Sequence, residues 1–328
     1  MRRREFIILL GAGVGGWPRA ARAQQAAMPV VALINSGTPE SGARYAAAFR
    51  SALVEAGYIE GRNVAVEYHW LEGRNDRVPA LIAELVRRRM AVIATPGFSA
   101  AAVAARAATS TIPIVFGTGE DPVRLGLVTN LARPAGNATG INFFVQELTA
   151  KRLGLFHDLV PKATRIALLL NPANVQGAES TLQGLPEAAR ALGLETEVLK
   201  ASTSREIDAA FATLVRNRID ALLIAGDGFF TSRRSQFVML SARDRIATSA
   251  VNRDLAEAGL LMSYGTNIAA MFHQVGVYTA NILKGAKPAD LPVLRSSKFE
   301  FVINLQTART LGLEVPNAVQ LLADEVIE

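Results

Sequence analysis

Three histidines, no cysteine and scattered acidic residues are the raw material for chemistry in this 328-residue chain, and they do not assemble into a catalytic set. His69, His157 and His273 lie far apart. None belongs to an H-x-x-x-H or H-E-x-x-H pattern, the spacing that turns two imidazoles toward one metal. No metal and no cofactor is expected. A G-x-S-x-G elbow and a G-x-x-x-x-G-K-[ST] loop are both missing. Glu120 and Asp121 are adjacent, and successive residues rarely face the same point. The expectation is a protein that is not an enzyme.

Residues suited to binding are better ordered. Thr95-Pro96-Gly97-Phe98-Ser99 stands between an apolar run and an alanine-rich helical pattern. Gly117-Thr118-Gly119-Glu120-Asp121 follows the next apolar run in the same way. Small residues there let backbone N–H groups and hydroxyls reach an anion at a helix N-terminus. The same pattern is also ordinary turn chemistry. Asp227 follows Ala221–Ala225, with Gly226 and Gly228 around it and Phe229-Phe230 behind. A carboxylate beside aromatic rings suits an ammonium on an apolar body. Its competing role is to cap the helix that starts near Thr231, which aspartate does well.

These positions are set by an alternation of short apolar runs and amphipathic stretches. Val30–Ile34, Val64–Tyr68, Ala91–Ala94, Ile112–Phe116 and Thr139–Asn142 read as strands. Between them, Tyr45, Phe49, Ala52, Leu53 and Ala56 mark one helix face, and Leu81, Ile82, Leu85 and Val86 another. The rhythm restarts with Ala163–Leu170, Glu195–Leu199, Ala221–Ala225, Ile246–Ala250 and Gly259–Met262. Two such series predict an α/β protein of two doubly wound parallel-sheet lobes joined by crossover hinge strands. The expected division is 29–142 with 265–290 for lobe one, and 143–262 with 291–328 for lobe two. Solutes bind outside the carboxyl ends of strands in such sheets. Two facing edges make a cleft.

Residues 1–23 indicate where the protein works. Arg2, Arg3 and Arg4 precede the apolar, glycine-rich run Phe6–Val14, and Ala21-Arg22-Ala23 is a small-x-small site. That order is a secretory signal peptide, cleaved after Ala23. Arg3-Arg4-Glu5-Phe6-Ile7 resembles a twin-arginine export signal, although Arg2 stands where Ser or Thr is usual. Gly11-Ala12-Gly13-Val14-Gly15-Gly16 fits the dinucleotide fingerprint. Trp17-Pro18 follows it, so no helix begins at the glycines to hold a pyrophosphate. The whole chain carries +6, and this segment holds five arginines and one glutamate, which leaves about +2 for the mature protein. No basic patch with interleaved aromatics remains, so nucleic acid is not an expected partner. An exported chain without cysteine has no disulfides and no lipid-acceptor thiol. A periplasmic location follows.

Several blocks in order resemble a bacterial ABC-transporter substrate-binding family. They are Gly119–Val123, Leu131–Gly140, Lys151-Arg152-Leu153, Leu159-Val160-Pro161, Leu170-Asn171-Pro172, Gly259–Gly265, Ile282–Pro288, Lys298–Leu305, Leu311-Gly312-Leu313 and Ala323–Ile327. The resemblance covers essentially the whole mature chain. It implies a type 1 periplasmic-binding-protein fold, two lobes closing on a ligand, and an ABC permease in the inner membrane as partner. Members with known ligands tend to hold amino acids, aromatic ones included. Gly228 stands where many members have proline, and Gly97-Phe98-Ser99 where many have Gly-Thr-Pro. Those departures bear on ligand identity.

The expectation is therefore a periplasmic solute receptor for an amino acid or related compound, acting as a monomer. Ser36 and Thr38, with Thr95, Gly97, Ser99 and Thr118, supply lobe-one donors for a carboxylate. Asp227 accepts an ammonium from lobe two. Asn142 and Tyr264 sit on crossings, where they sense closure. Phe229 or Phe143 packs on the apolar part. The alternatives are a ligand-binding receptor for a membrane signalling protein, and an enzyme on the same fold.

Overall fold

Val31 and Leu33 point to one face of the first strand and Ala32 and Ile34 to the other, and all four are fully buried. A strand apolar on both sides must have helices on both sides. The computed structural model describes residues 28–143 and 145–328. The expected signal peptide, with its expected cleavage site and the sequence resembling a twin-arginine signal, lies outside them.

Lobe one is built from β1 (Val30–Asn35), α1 (Pro39–Glu55), β2 (Ala65–Trp70), α2 (Val78–Arg87), β3 (Val92–Pro96), α3 (Ser99–Ala108), β4 (Ile114–Thr118) and β5 (Ala138–Asn142). The chain crosses to lobe two for α4 (Val145–Leu159), β6 (Arg165–Leu170), α5 (Val175–Ala191), β7 (Glu195–Lys200), α6 (Ser204–Arg216) and β8 (Ala221–Ile224). That lobe continues with α7 (Gly228–Ser232), α8 (Arg234–Asp244), β9 (Ala247–Ala250), α9 (Arg253–Ala258) and β10 (Met262–Thr266). It returns for α10 (Ile268–Leu283) and β11 (Leu294–Arg295), then crosses again into β12 (Phe299–Asn304), α11 (Leu305–Leu311), α12 (Asn317–Gln320) and β13 (Glu325–Ile327).

The first sheet runs β11-β5-β4-β3-β1-β2 and the second β13-β12-β10-β9-β8-β6-β7. Each contains the doubly wound order 2-1-3-4-5 in its own strands, so each reverses direction once: between β1 and β3, and between β6 and β8. Both sheets are buried on two faces. In lobe one, α2 and α3 cover one side and α1 and α10 the other. In β6, Ile166, Leu168 and Leu170 face one core, Ala167 and Leu169 the opposite one.

Three details differ from the sequence expectation. Residues 291–295 stay with lobe one, because β11 pairs with β5. The expected strand at Gly259–Met262 is shifted to Met262–Thr266, because Gly259 at φ 127° ends α9 and turns the chain. That strand, with residues 265 and 266, belongs to the second sheet. The second sheet is not wholly parallel either, since β12 runs antiparallel to β10. The three crossings lie side by side, and Ser296 N–H donates to Asn142 O at 2.7 Å where the first meets the third. No helix among the described residues is long and apolar enough to cross a membrane.

Candidate functional site

The two reversal points face each other across a cleft. Lobe one contributes Asn35–Gly37 after β1 and Pro96–Ser99 after β3; lobe two contributes Asn171 after β6 and Gly226–Phe229 after β8. The cavity between them has about 130 Å³. An engineered cavity of roughly 150 Å³ takes up benzene, so the space suits a small solute. Tyr45, Phe98, Phe143, Phe229, Tyr264 and Phe272 line it. The charged residues at its wall are Glu120, Arg152 and Asp227.

The lobes touch around this space. Asn75 Nδ2 donates to Ala173 O at 2.9 Å. Phe229 packs over Gly73. Gly228 lies so close to Ser36 that a Cβ on it would sit 2.2 Å from Ser36 Oγ. Arg44 Nη1 reaches Asp254 and Glu257, each at 3.0 Å.

Of the residues singled out in the sequence, Ser36, Gly97, Ser99, Asp227, Phe229 and Tyr264 line the cavity, and Phe143 does so beside the first crossing. Thr38 does not. Its Oγ1 accepts from Ser41 N–H at 3.2 Å while Ser41 Oγ accepts from Thr38 N–H at 3.0 Å, a reciprocal cap on α1. Thr95 is fully buried behind the wall with no partner for its Oγ1. Gly97 has φ +72°, which favours glycine, and its N–H is spent on Gly117 O at 3.0 Å.

Ser99 and Thr118 do not form an empty cradle for an anion. Both hydroxyls donate to the carboxylate of Glu120. Asn142 Nδ2 holds the same residue by its backbone oxygen at 2.5 Å. The two hydroxyls are therefore committed to the protein's own carboxylate, and lobe one presents Glu120 where free donors were expected. Asn142 is buried behind this group at the end of β5 and does not line the cavity.

Asp227 takes the capping role that the sequence offered, and it also lines the cavity. Its Oδ1 accepts from Phe229 N–H at 2.9 Å and Phe230 N–H at 3.3 Å, capping α7. Asn171 Nδ2 and Asn174 Nδ2 donate to Oδ1 and Oδ2, each at 3.1 Å. Burial pushes its pKa up, against the pull of these donors. Tyr264 packs edge-on against Phe301, and burial raises its pKa as well.

Arg152 was not expected. It lines the cavity from α4 and is 2% exposed. Nη1 donates to Ile224 O at 3.1 Å, and Nε is buried with no partner. Burial alone pulls its pKa down to about 10. The signal was in the sequence: Arg152 shares the helical stripe of Leu148, Phe156 and Leu159, all of which are buried. No group of three or more potential metal ligands occurs among the described residues.

Comparison with known proteins agrees with this architecture. A tyrosine-binding protein of Clostridioides difficile is 26% identical over 269 residues, covering 81% of this chain and 76% of that protein. The structure of an ABC domain in complex with L-Trp from Streptococcus pneumonia superimposes with a TM-score of 0.82 at 23% identity, over 91% of this chain and 99% of that one. A conserved domain protein of Vibrio cholerae gives 0.83 at 24% identity with the same coverage. The family model described as ABC transporter substrate binding protein matches residues 38–327. The chain belongs to that family.

Proposed function

We propose that this protein is an exported, monomeric solute receptor that closes on an amino acid or related compound and passes it, chemically unaltered, to an ABC import permease. The observation that carries this reading is the cavity shared by the two reversal points, whose wall comes from both lobes. A solute must touch both lobes to favour the closed arrangement, which is how binding becomes a conformational signal. The aromatic lining and the charges of both signs suit a zwitterion with an apolar side chain. The relatives named for tyrosine and L-Trp support that class. Ser36, Gly97, Ser99, Asp227, Phe229 and Tyr264 are the proposed contacts. Thr38, Thr95, Thr118 and Asn142 support the wall.

The test is a thermal-shift screen of the mature protein with amino acids, short peptides, other carboxylates and sugars, followed by mass spectrometry of each stabilising solute. A ligand that binds the native form must raise its melting temperature. Stabilisation with recovery of intact solute is expected. Conversion of the solute would favour an enzyme instead, and no stabilisation across the screen would remove the receptor reading.

A further inference from the structure

We propose that the free edge of the Arg152 guanidinium, Nε with Nη2, anchors a carboxylate on the solute and makes closure of the cleft depend on that anion. This rests on the receptor reading above and names the ligand class it requires.

Three observations meet at this side chain. It is nine-tenths or more buried and faces the cavity. Among the described residues no carboxylate lies within ion-pair distance of it, and its one hydrogen bond runs from Nη1 to Ile224 O. Its Nε finds no acceptor. A buried cation without a counter-charge is costly, and proteins pair such groups or leave them to a ligand.

The geometry says which ligand. In a guanidinium, the Nε–H and Nη2–H bonds lie side by side at the spacing of two carboxylate oxygens. Nη1, held on Ile224 O at the end of β8, fixes the plane of the group beside the reversal point of lobe two. The two acids of the cavity wall do not neutralise it. Glu120 is held by Ser99 and Thr118, and Asp227 by two amides and two asparagines.

The coupling to closure follows. With the lobes apart, water solvates the guanidinium. With the lobes together, that water is lost, no carboxylate among the described residues replaces it, and a solute anion supplies the partner. A neutral solute leaves the charge unpaired and is discriminated against by the closed form.

The experiment uses L-tyrosine against L-tyrosinamide, L-tryptophan against L-tryptophanamide, and D-glucose as a neutral solute. Calorimetry is run on the mature wild type, Arg152→Met and Arg152→Lys, with small-angle X-ray scattering of the ligand-free proteins. In wild type the free acid is expected to bind at least tenfold more tightly than its amide. Arg152→Met binds the two alike, and Arg152→Lys keeps part of the preference. Ligand-free Arg152→Met is expected to be more compact than ligand-free wild type, because closing it strands no charge. Equal affinity of wild type for acid and amide, or binding of glucose alone, overturns the inference and leaves the receptor reading standing. If no panel solute binds wild type, the scattering decides: compaction of Arg152→Met supports the anchor, and an unchanged radius overturns it. Circular dichroism of both variants checks that they fold.

Discussion

The Tyr45 hydroxyl in α1 donates a hydrogen bond to the Asp254 carboxylate in α9, tying the two lobes together beside the cleft. The Tyr45 ring lines the cavity and lies 5.4 Å from the Phe272 centroid. Burial, and then the charge of Asp254, hold the hydroxyl far above the ordinary tyrosine pKa, so it remains a donor at any physiological pH. The bond can form only when the lobes approach, so its energy belongs to closure rather than to either lobe alone.

Tyr45→Phe keeps the ring and removes the donor. A hydrogen bond to a charged group contributes about 1.5–3 kcal/mol. Arg44 still faces Asp254 at 3.0 Å in the variant, which favours the lower figure. Solute affinity should fall about tenfold in calorimetry, with little change in the melting temperature of the ligand-free protein. Unaltered affinity would mean that this contact takes no part in closure.

Asp227→Ala should do two things at once. Loss of the α7 cap costs about 1 kcal/mol, and Asn171 and Asn174 lose their shared acceptor. The ligand-free protein should therefore melt lower, and solute affinity should fall with it as the wall deforms. A melting temperature equal to wild type would show that the cap contributes nothing. An unchanged affinity would place Asp227 outside the working site.

The architecture was legible because its signals are local. Each core strand announces itself as an apolar run, and helices end at glycines such as Gly57 and Gly193. The third crossing was misplaced because β11 is only two residues long and exposed, so nothing in its composition separates it from a loop. The placement of candidate site residues after strands was readable, since topology puts them there. Their hydrogen-bond commitments were not. Whether Ser99 and Thr118 face a solute or Glu120 is a question of tertiary distance. Arg152 was legible in principle as a charge on an apolar stripe, but arginine in a helix is usually a solvated residue.

Gly276 sets how closely α10 approaches α1. A Cβ there would sit 2.6 Å from Phe49 O and 2.8 Å from Ala52 Cβ, and neither is a flexible tip that can swing away. Gly276→Ala must push the two helices apart in the buried face of lobe one. The gain in helix propensity, about 1 kcal/mol, is offset by overpacking of typically 1–3 kcal/mol. A net loss of up to about 2 kcal/mol in urea unfolding is expected. A more stable variant would show that the interface relaxes without strain.

Asp220 gives lobe two a pH dependence of known sign. Burial raises its pKa, but the donors outweigh it, and the net shift is downward. Thr164 N–H and Arg165 N–H reach its Oδ2 at 2.8 and 2.9 Å, so the carboxylate closes the turn before β6. A folded pKa below the unfolded value of about 3.9 means that the native state binds fewer protons. The stabilisation is then complete above that pH and is lost as pH falls through the folded value. Asp220→Ala should cost about 1 kcal/mol at pH 7, a modest figure because the side chain is partly solvated. The gap between wild type and variant should narrow when the urea midpoints are measured at pH 3. A gap of the same size at both values would show that the ionised carboxylate is not what stabilises the turn.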